Sequence, residues 1–365
     1  TGAAKTITGS GISLDNLTVN GSITTAISFA LTGNLSVSGS LVSSGGTITM
    51  SGASKTISGA GTKSFSTLSV AGSIIAAVDF SIASGLTVSG SLTASAGTAT
   101  FTGSSTLSGT ANLYNVIING TSLQLSASAV LGIANLMTIS AGTLNVTSST
   151  PNTVNFNGTG AQNINAIAYN NLILSNGNNK TAIAGITVNS NITIGSGTTF
   201  IPGAYTHIVY NDWNNYGNFT AGTSTVQFRG TQNTNITGAT TFNILTVNNT
   251  TAATAIILQN DISASTVNMT LGTMLTGSNT LTITNTRTGN GIILGNIKRT
   301  HAFTTGIAYA FEGPNNTITF SSVTGVSSMT VSVVKQSISD FPYNAAISRV
   351  YNIAVPSGTY TATLR

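Results

Sequence analysis

Residues able to do acid, base or metal chemistry are few. The chain of 365 residues has six carboxylates, Asp15, Asp79, Asp212, Asp261, Glu312 and Asp340, and two histidines, His207 and His301. It has no cysteine, which excludes disulfides and thiolate metal sites. No two carboxylates lie within 25 residues of each other. A paired acid and base, or a clustered calcium site, would therefore have to be assembled across the fold. The one combination worth testing joins Asp212 and Asp261 with Arg229 and His207, the equipment of a polysaccharide lyase or hydrolase. Solvated single charges account for these residues better. Two histidines cannot build a His-rich metal cluster, and the Gly-x-Gly steps lie between strand patterns with no helix to follow, so they are turns. The reading is of a protein that is not an enzyme, with no catalytic residue, metal or cofactor assigned.

Ligand recognition has one candidate. Residues 195–222 interrupt the surrounding pattern with Phe200, Tyr205, His207, Tyr210, Trp213, Tyr216 and Phe219. Tyr205, Tyr210, Trp213 and Tyr216, beside the amides of Asn211, Asn214 and Asn215, are the ring and amide types that stack on and hydrogen-bond a sugar. The plainer reading, a longer loop or wider coils whose rings pack on the flank, is preferred.

Charge excludes other partners. Only 5% of residues are charged against 40% hydrophobic, and the net charge of +5 reflects scarce acids. No Lys or Arg occurs between Lys63 and Lys180, whereas nucleic-acid binding needs a dense row of cations. Lys298-Arg299-Thr300-His301, the densest basic cluster, is expected to bind nearby backbone carbonyls or carboxylates. Apolar runs such as 255–258 fall far short of the roughly 20 residues that span a bilayer, so no membrane insertion is expected. The first residues carry no signal-peptide pattern, and the chain is read as a processed or excised form. Asn-x-Ser/Thr triplets at Asn16, Asn34, Asn119 and Asn191 follow from composition alone.

The elements that must position these residues are repeats. Lys5-Thr6-Ile7-Thr8-Gly9-Ser10-Gly11 recurs fifty residues on as Lys55-Thr56-Ile57-Ser58-Gly59-Ala60-Gly61. Leu17-Thr18-Val19-Asn20-Gly21-Ser22-Ile23 returns as Leu68-Ser69-Val70-Ala71-Gly72-Ser73-Ile74, and Leu35-Ser36-Val37-Ser38-Gly39-Ser40-Leu41 as Leu86-Thr87-Val88-Ser89-Gly90-Ser91-Leu92, both 51 residues apart. Each burst alternates apolar residues with Thr or Ser, as half-buried strands do. The intervening Gly and Asn are read as turn residues that tolerate positive φ. Hairpins joined at Asn20-Gly21 and Asn119-Gly120 are the rival reading, but a 51-residue superperiod has no natural place in a single sandwich. A unit of that length makes two to three solenoid turns of about 17 to 25 residues. The expected fold is all-β: a right-handed parallel β-helix over 1–286, with the aromatic insertion near 195–222, followed by a β-sandwich-like domain over 287–365. Strands are expected there at 317–320, 329–334, 349–355 and 359–364.

The run from Gly217 to Thr231, GNFTAGTSTVQFRGT, followed by Thr241 to Asn249, TFNILTVNN, resembles large secreted β-helical surface and adhesin-like proteins of Bacteroidota-like bacteria. The resemblance covers most of the chain and implies export by the type IX route, with a C-terminal sorting domain not contained here. It carries over no catalytic residues. The expected role is that of an extracellular, cell-surface structural protein, a homopolymer subunit joining through solenoid ends or terminal strands. A carbohydrate-binding adhesin recognising surface glycans is the second reading, and a polysaccharide lyase or hydrolase the third.

Overall fold

A computed structural model describes residues 4–249, 255–335 and 349–365. The described residues contain strands and no helix. The fold is a parallel β-solenoid of about 15 turns with a small C-terminal sheet domain. Asp340 lies outside the described residues. The chain divides into two compact units, one of residues 1–163 with 169–178 and the other of 164–168 with 179–365.

In the first coils each turn has three short strands, which merge into longer ones such as Ser104–Leu125 further on, and each pairs in parallel with its counterpart one coil on. Lys5–Ile7 pairs with Ser22–Thr25, Ile12–Leu14 with Phe29–Leu31, and Leu17–Val19 with Leu35–Val37. Register puts like on like. Ile12, Phe29, Ile48, Leu68, Leu86 and Leu107 form one column, and Ile82, Phe101, Ile118 and Ile139 another. From Phe29 onward most of these side chains are buried. Burying a Leu or Ile contributes roughly 1.5–3 kcal/mol, so the columns supply the driving force while the ladder satisfies the backbone.

The 51-residue sequence repeat does not superpose on the coil. Leu17 and Leu35 share a column with Ile57, whereas their repeat partners Leu68 and Leu86 stand in the column of Phe29 and Ile48. Lys5–Ile7 belongs to one face and its repeat Lys55–Ser58 pairs with Leu35–Val37 on another. The repeat therefore spans two coils and two strands of a third, and each copy is set one face round from the last. Any face accepts the same strand motif because each offers the same thing, an inward apolar pair between two corners.

The corners use glycine in two ways: positive φ holds as expected at Gly9, Gly11 and Gly59, while close stacking explains others. Gly39, Gly72 and Gly90 of the Gly-Ser-Leu/Ile repeats do not adopt positive φ. Instead a Cβ there would overlap the carbonyl oxygen of the coil below, that of Gly21, Gly52 and Gly72 respectively. Close stacking of corner upon corner, not left-handed backbone, requires glycine at these positions. Asn20-Gly21 and Asn119-Gly120 are such corners between parallel rungs, not hairpin turns.

In the second unit one column runs Val188, Val209, Phe228, Val247 and Met269. Parallel pairing runs to Ile292–Thr300. There Ser328–Val334 pairs antiparallel with the last coil's strand, and Val350–Ala354 pairs antiparallel with Ser328–Val334. A second antiparallel sheet of Ala308–Ala310, Thr317–Thr324 and Thr359–Leu364 completes the tail. Phe303, Tyr309, Phe311, Phe320 and Val331 are buried in this tail.

Candidate functional site

Three of the carboxylates are spent on corners. Asp79 Oδ1 accepts the Thr98 N–H at 2.8 Å, Asp212 Oδ1 that of Asn235 at 2.8 Å, and Asp261 Oδ1 that of Thr280 at 2.8 Å. Asparagines do the same work: Asn16 Oδ1 accepts from Asn34 N–H at 2.8 Å, Asn34 from Thr56 at 2.9 Å, and Asn233 from Ala255 at 2.9 Å. Asp212 is itself held this way, by Asn191 at 3.1 Å. Each donor lies 18 to 23 residues beyond its acceptor, one coil on. These side chains cap backbone groups that the ladder leaves open at the bends. The sequence signal was an Asp or Asn just before the apolar burst, as in Asn16-Leu17, Asn34-Leu35 and Asp212-Trp213.

The four-residue combination of Asp212, Asp261, Arg229 and His207 does not assemble. Asp212 precedes Trp213–Asn215 and Asp261 precedes Ile262–Leu271, strands that belong to different faces. His207 points inward, 1% exposed. Its Nε2 is 2.8 Å from the Pro202 carbonyl and its Nδ1 accepts the Ile186 N–H at 3.4 Å, which sets the tautomer with the proton on Nε2. Burial holds its pKa below the usual histidine value, against the opposing pull of the Pro202 bond. Among the described residues, no group of three His, Cys, Asp or Glu side chains is placed to hold a metal ion.

The aromatic stretch is a regular coil, not an outlying loop. Thr206–Val209 and Trp213–Asn215 take their places in the ladder. Trp213 corrects the sugar-platform reading: it is fully buried, its ring 5.0 Å from Phe219 and 5.4 Å from Phe242. Its Nε1 donates to Thr240 Oγ1 at 3.3 Å. The alternation that puts Val209 inside puts Trp213 inside too, and tryptophan's area makes the interior its favourable place. Tyr205 and Tyr216 are exposed and Tyr210 is half-buried. The three tyrosines lie at separate corners of the coil, flanking Thr206–Val209 and following Trp213–Asn215. The four candidates form no common platform.

Four cations are interior: Lys63, which donates to the Gly59 and Gly61 carbonyls, and Lys180, Arg287 and Arg299. Lys180 exposes nothing to solvent, and burial lowers its pKa to about 8. Arg287 follows Val226, Leu245 and Val267 in one column, and Arg299 follows Phe242, Ala264 and Ile283 in another. Both guanidiniums bind carbonyls where the solenoid meets its tail. Arg287 donates to Gly289, Gly291 and Glu312, the last at 2.7 Å. Arg299 donates to Ala310 at 2.8 Å and Asn285 at 2.5 Å, and lies over the rings of Tyr309 and Phe311. The expectation that the basic cluster binds backbone carbonyls holds at Arg299. Burial lowers both to about 10, and at Arg287 the neighbouring Arg299 charge adds to the effect. Glu312 is turned elsewhere, to Arg349 Nε at 2.7 Å and to the Tyr351 hydroxyl.

No family model, no curated protein and no solved structure matches the chain.

Proposed function

We propose that this chain is an extracellular structural protein, a subunit of a cell-surface filament or layer that associates with copies of itself. One observation carries the reading: three of the carboxylates and one of the two histidines are consumed in holding the solenoid together. Asp79, Asp212 and Asp261 cap the next coil, and His207 bonds inside the core. What remains outward is a coat of Thr, Ser and Asn with little charge to oppose close approach of a second copy.

The route of association proposed is the terminal strands. Val350–Ala354 and Thr359–Leu364 each have a partner on one side only among the described pairings. Neither carries a charged residue or a proline, the usual devices that blunt an edge. Tyr351, Tyr360 and Leu364 are exposed along them. Electron microscopy across a concentration series tests this. Filaments or sheets are expected, and Tyr360→Lys with Leu364→Lys should abolish them. Monodisperse single particles at every concentration would overturn the proposal.

A further inference from the structure

Beside the two interior arginines lies a pocket of about 350 Å³, lined by Asn285, Thr286, Arg287, Arg299, His301 and Tyr309 among others. Its volume is within the range of small-molecule sites. Arg287 is 6% and Arg299 4% exposed. Desolvated cations at close quarters are costly unless an anion offsets them. The nearby carboxylate, Glu312, partly offsets Arg287 through its charge but spends its carboxylate hydrogen bonds on Arg349 and Tyr351. The hydrogen-bond acceptors of Arg287 and Arg299 are uncharged carbonyls and the His301 ring. Donor capacity remains: Arg287 Nε has no acceptor, and Arg299 commits one N–H at each of its three nitrogens out of five N–H groups. In a pocket with low-dielectric walls the paired positive charges focus field toward the opening.

We infer that this pocket binds a small oxyanion, a sulfate or carboxylate group, free or carried on an acidic sugar. Arg299 and Arg287 provide the charge. Asn285 and Thr286 provide polar contacts, while His301, whose Nε2 accepts from Arg299 Nε, lines the pocket against the Phe303 and Tyr309 rings. None of the residues that line the pocket belongs to the edge strands through which self-association is proposed.

The chain has two histidines, and only His301 lines this pocket. Their ring proton resonances, assigned with His301→Gln, give a built-in reporter and an internal reference. Sodium sulfate titrated against chloride at fixed ionic strength should shift the His301 signal saturably and leave that of His207 in place. Lys298→Gln should not alter the curve, whereas Arg299→Gln should weaken it at least tenfold. A uronic acid that competes with sulfate, while its neutral sugar counterpart does not, assigns the group to an acidic sugar. Competition absent with sulfate still binding assigns it to the free ion. An unsaturable shift, an equal shift with chloride, or loss of binding in Lys298→Gln overturns the inference. Should Arg299→Gln fail to fold, the wild-type titration decides alone.

Discussion

The coils around Leu68 and the coil around Trp213 use one backbone plan and fill it in opposite ways. The first stacks aliphatic side chains, Ile48 under Leu68 under Leu86. The second packs rings: Phe200, Trp213, Phe219 and Phe242 lie within 6.5 Å of one another from centroid to centroid in linked pairs. Parallel pairing is preserved across both. The difference teaches that register in this fold is set by the corners and the ladder, while the size of the interior residue is negotiable from coil to coil. It also brings interior polar groups with it. Trp213 Nε1, Asn215 and Thr240 form a buried hydrogen-bonded group, and His207 another, where the aliphatic columns hold almost none.

Truncating the filling should separate the two regions most. Trp213→Ala removes a fully buried ring and leaves the Thr240 hydroxyl without one of its partners. A loss of about 4 kcal/mol is expected. Leu68→Ala, also fully buried, is expected to cost about 3 kcal/mol. Chemical denaturation of the two variants checks the order, and equal or inverted losses would show that the rings pack less tightly than the aliphatic columns.

The titratable interior sharpens the contrast next. His207 has a lowered folded pKa, so the unfolded chain takes its proton first as pH falls. Stability is complete above the ordinary histidine value of about 6.5 and declines as pH drops through it toward the folded value. Lys180 acts at the other end. With its folded pKa near 8, the unfolded chain binds the extra proton between about 8 and the ordinary value of about 10.5, so stability should rise across that window and level off on both sides. Denaturant midpoints against pH should lose the acid limb in His207→Gln and the alkaline limb in Lys180→Met. A profile unchanged by both variants would mean that neither group is desolvated as described.

How much of this was legible beforehand follows from what the sequence encodes locally. Alternation in Leu35-Ser36-Val37 and its relatives announced strands, and recurrence announced stacking, so the parallel solenoid could be read. The face each strand takes could not, because a motif that fits all three faces carries no mark of which one it occupies; only the corner lengths decide, and those are spread over many Gly and Ser residues. Trp213 was misjudged because residue type was weighed above alternation: Val209 and Trp213 have the same inward parity relative to their strands. Carbonyl binding by Arg299 was legible in the basic cluster, whereas the inward position of Arg287 was not, because its partner carbonyls, Gly289, Gly291 and Glu312, come together only in the fold.

The corners furnish a smaller test. Asp79→Ala deletes the acceptor for the Thr98 N–H at an exposed bend and is expected to cost about 1 kcal/mol, whereas Asp79→Asn keeps an acceptor oxygen and should stay within about 0.5 kcal/mol of the parent. Asn34→Ala should match the first, since its oxygen takes the Thr56 N–H. If the asparagine variant fell as far as the alanine variant, the charge itself, not the cap, would be what that position needs.

The smallest effect belongs to the residue that most looked like a ligand platform. Tyr216 is 60% exposed and follows a strand whose inward ring, Trp213, is three positions earlier. Removing it takes little area out of the interior, so Tyr216→Ala should change stability by no more than about 0.5 kcal/mol. Set against about 4 kcal/mol at Trp213, this ratio measures how completely strand parity sorts one aromatic cluster into core and coat. A Tyr216→Ala loss near that of Trp213 would mean that the exposed ring is covered in solution, and the place to look for its cover would be a second copy of the chain, with the loss growing as protein concentration rises.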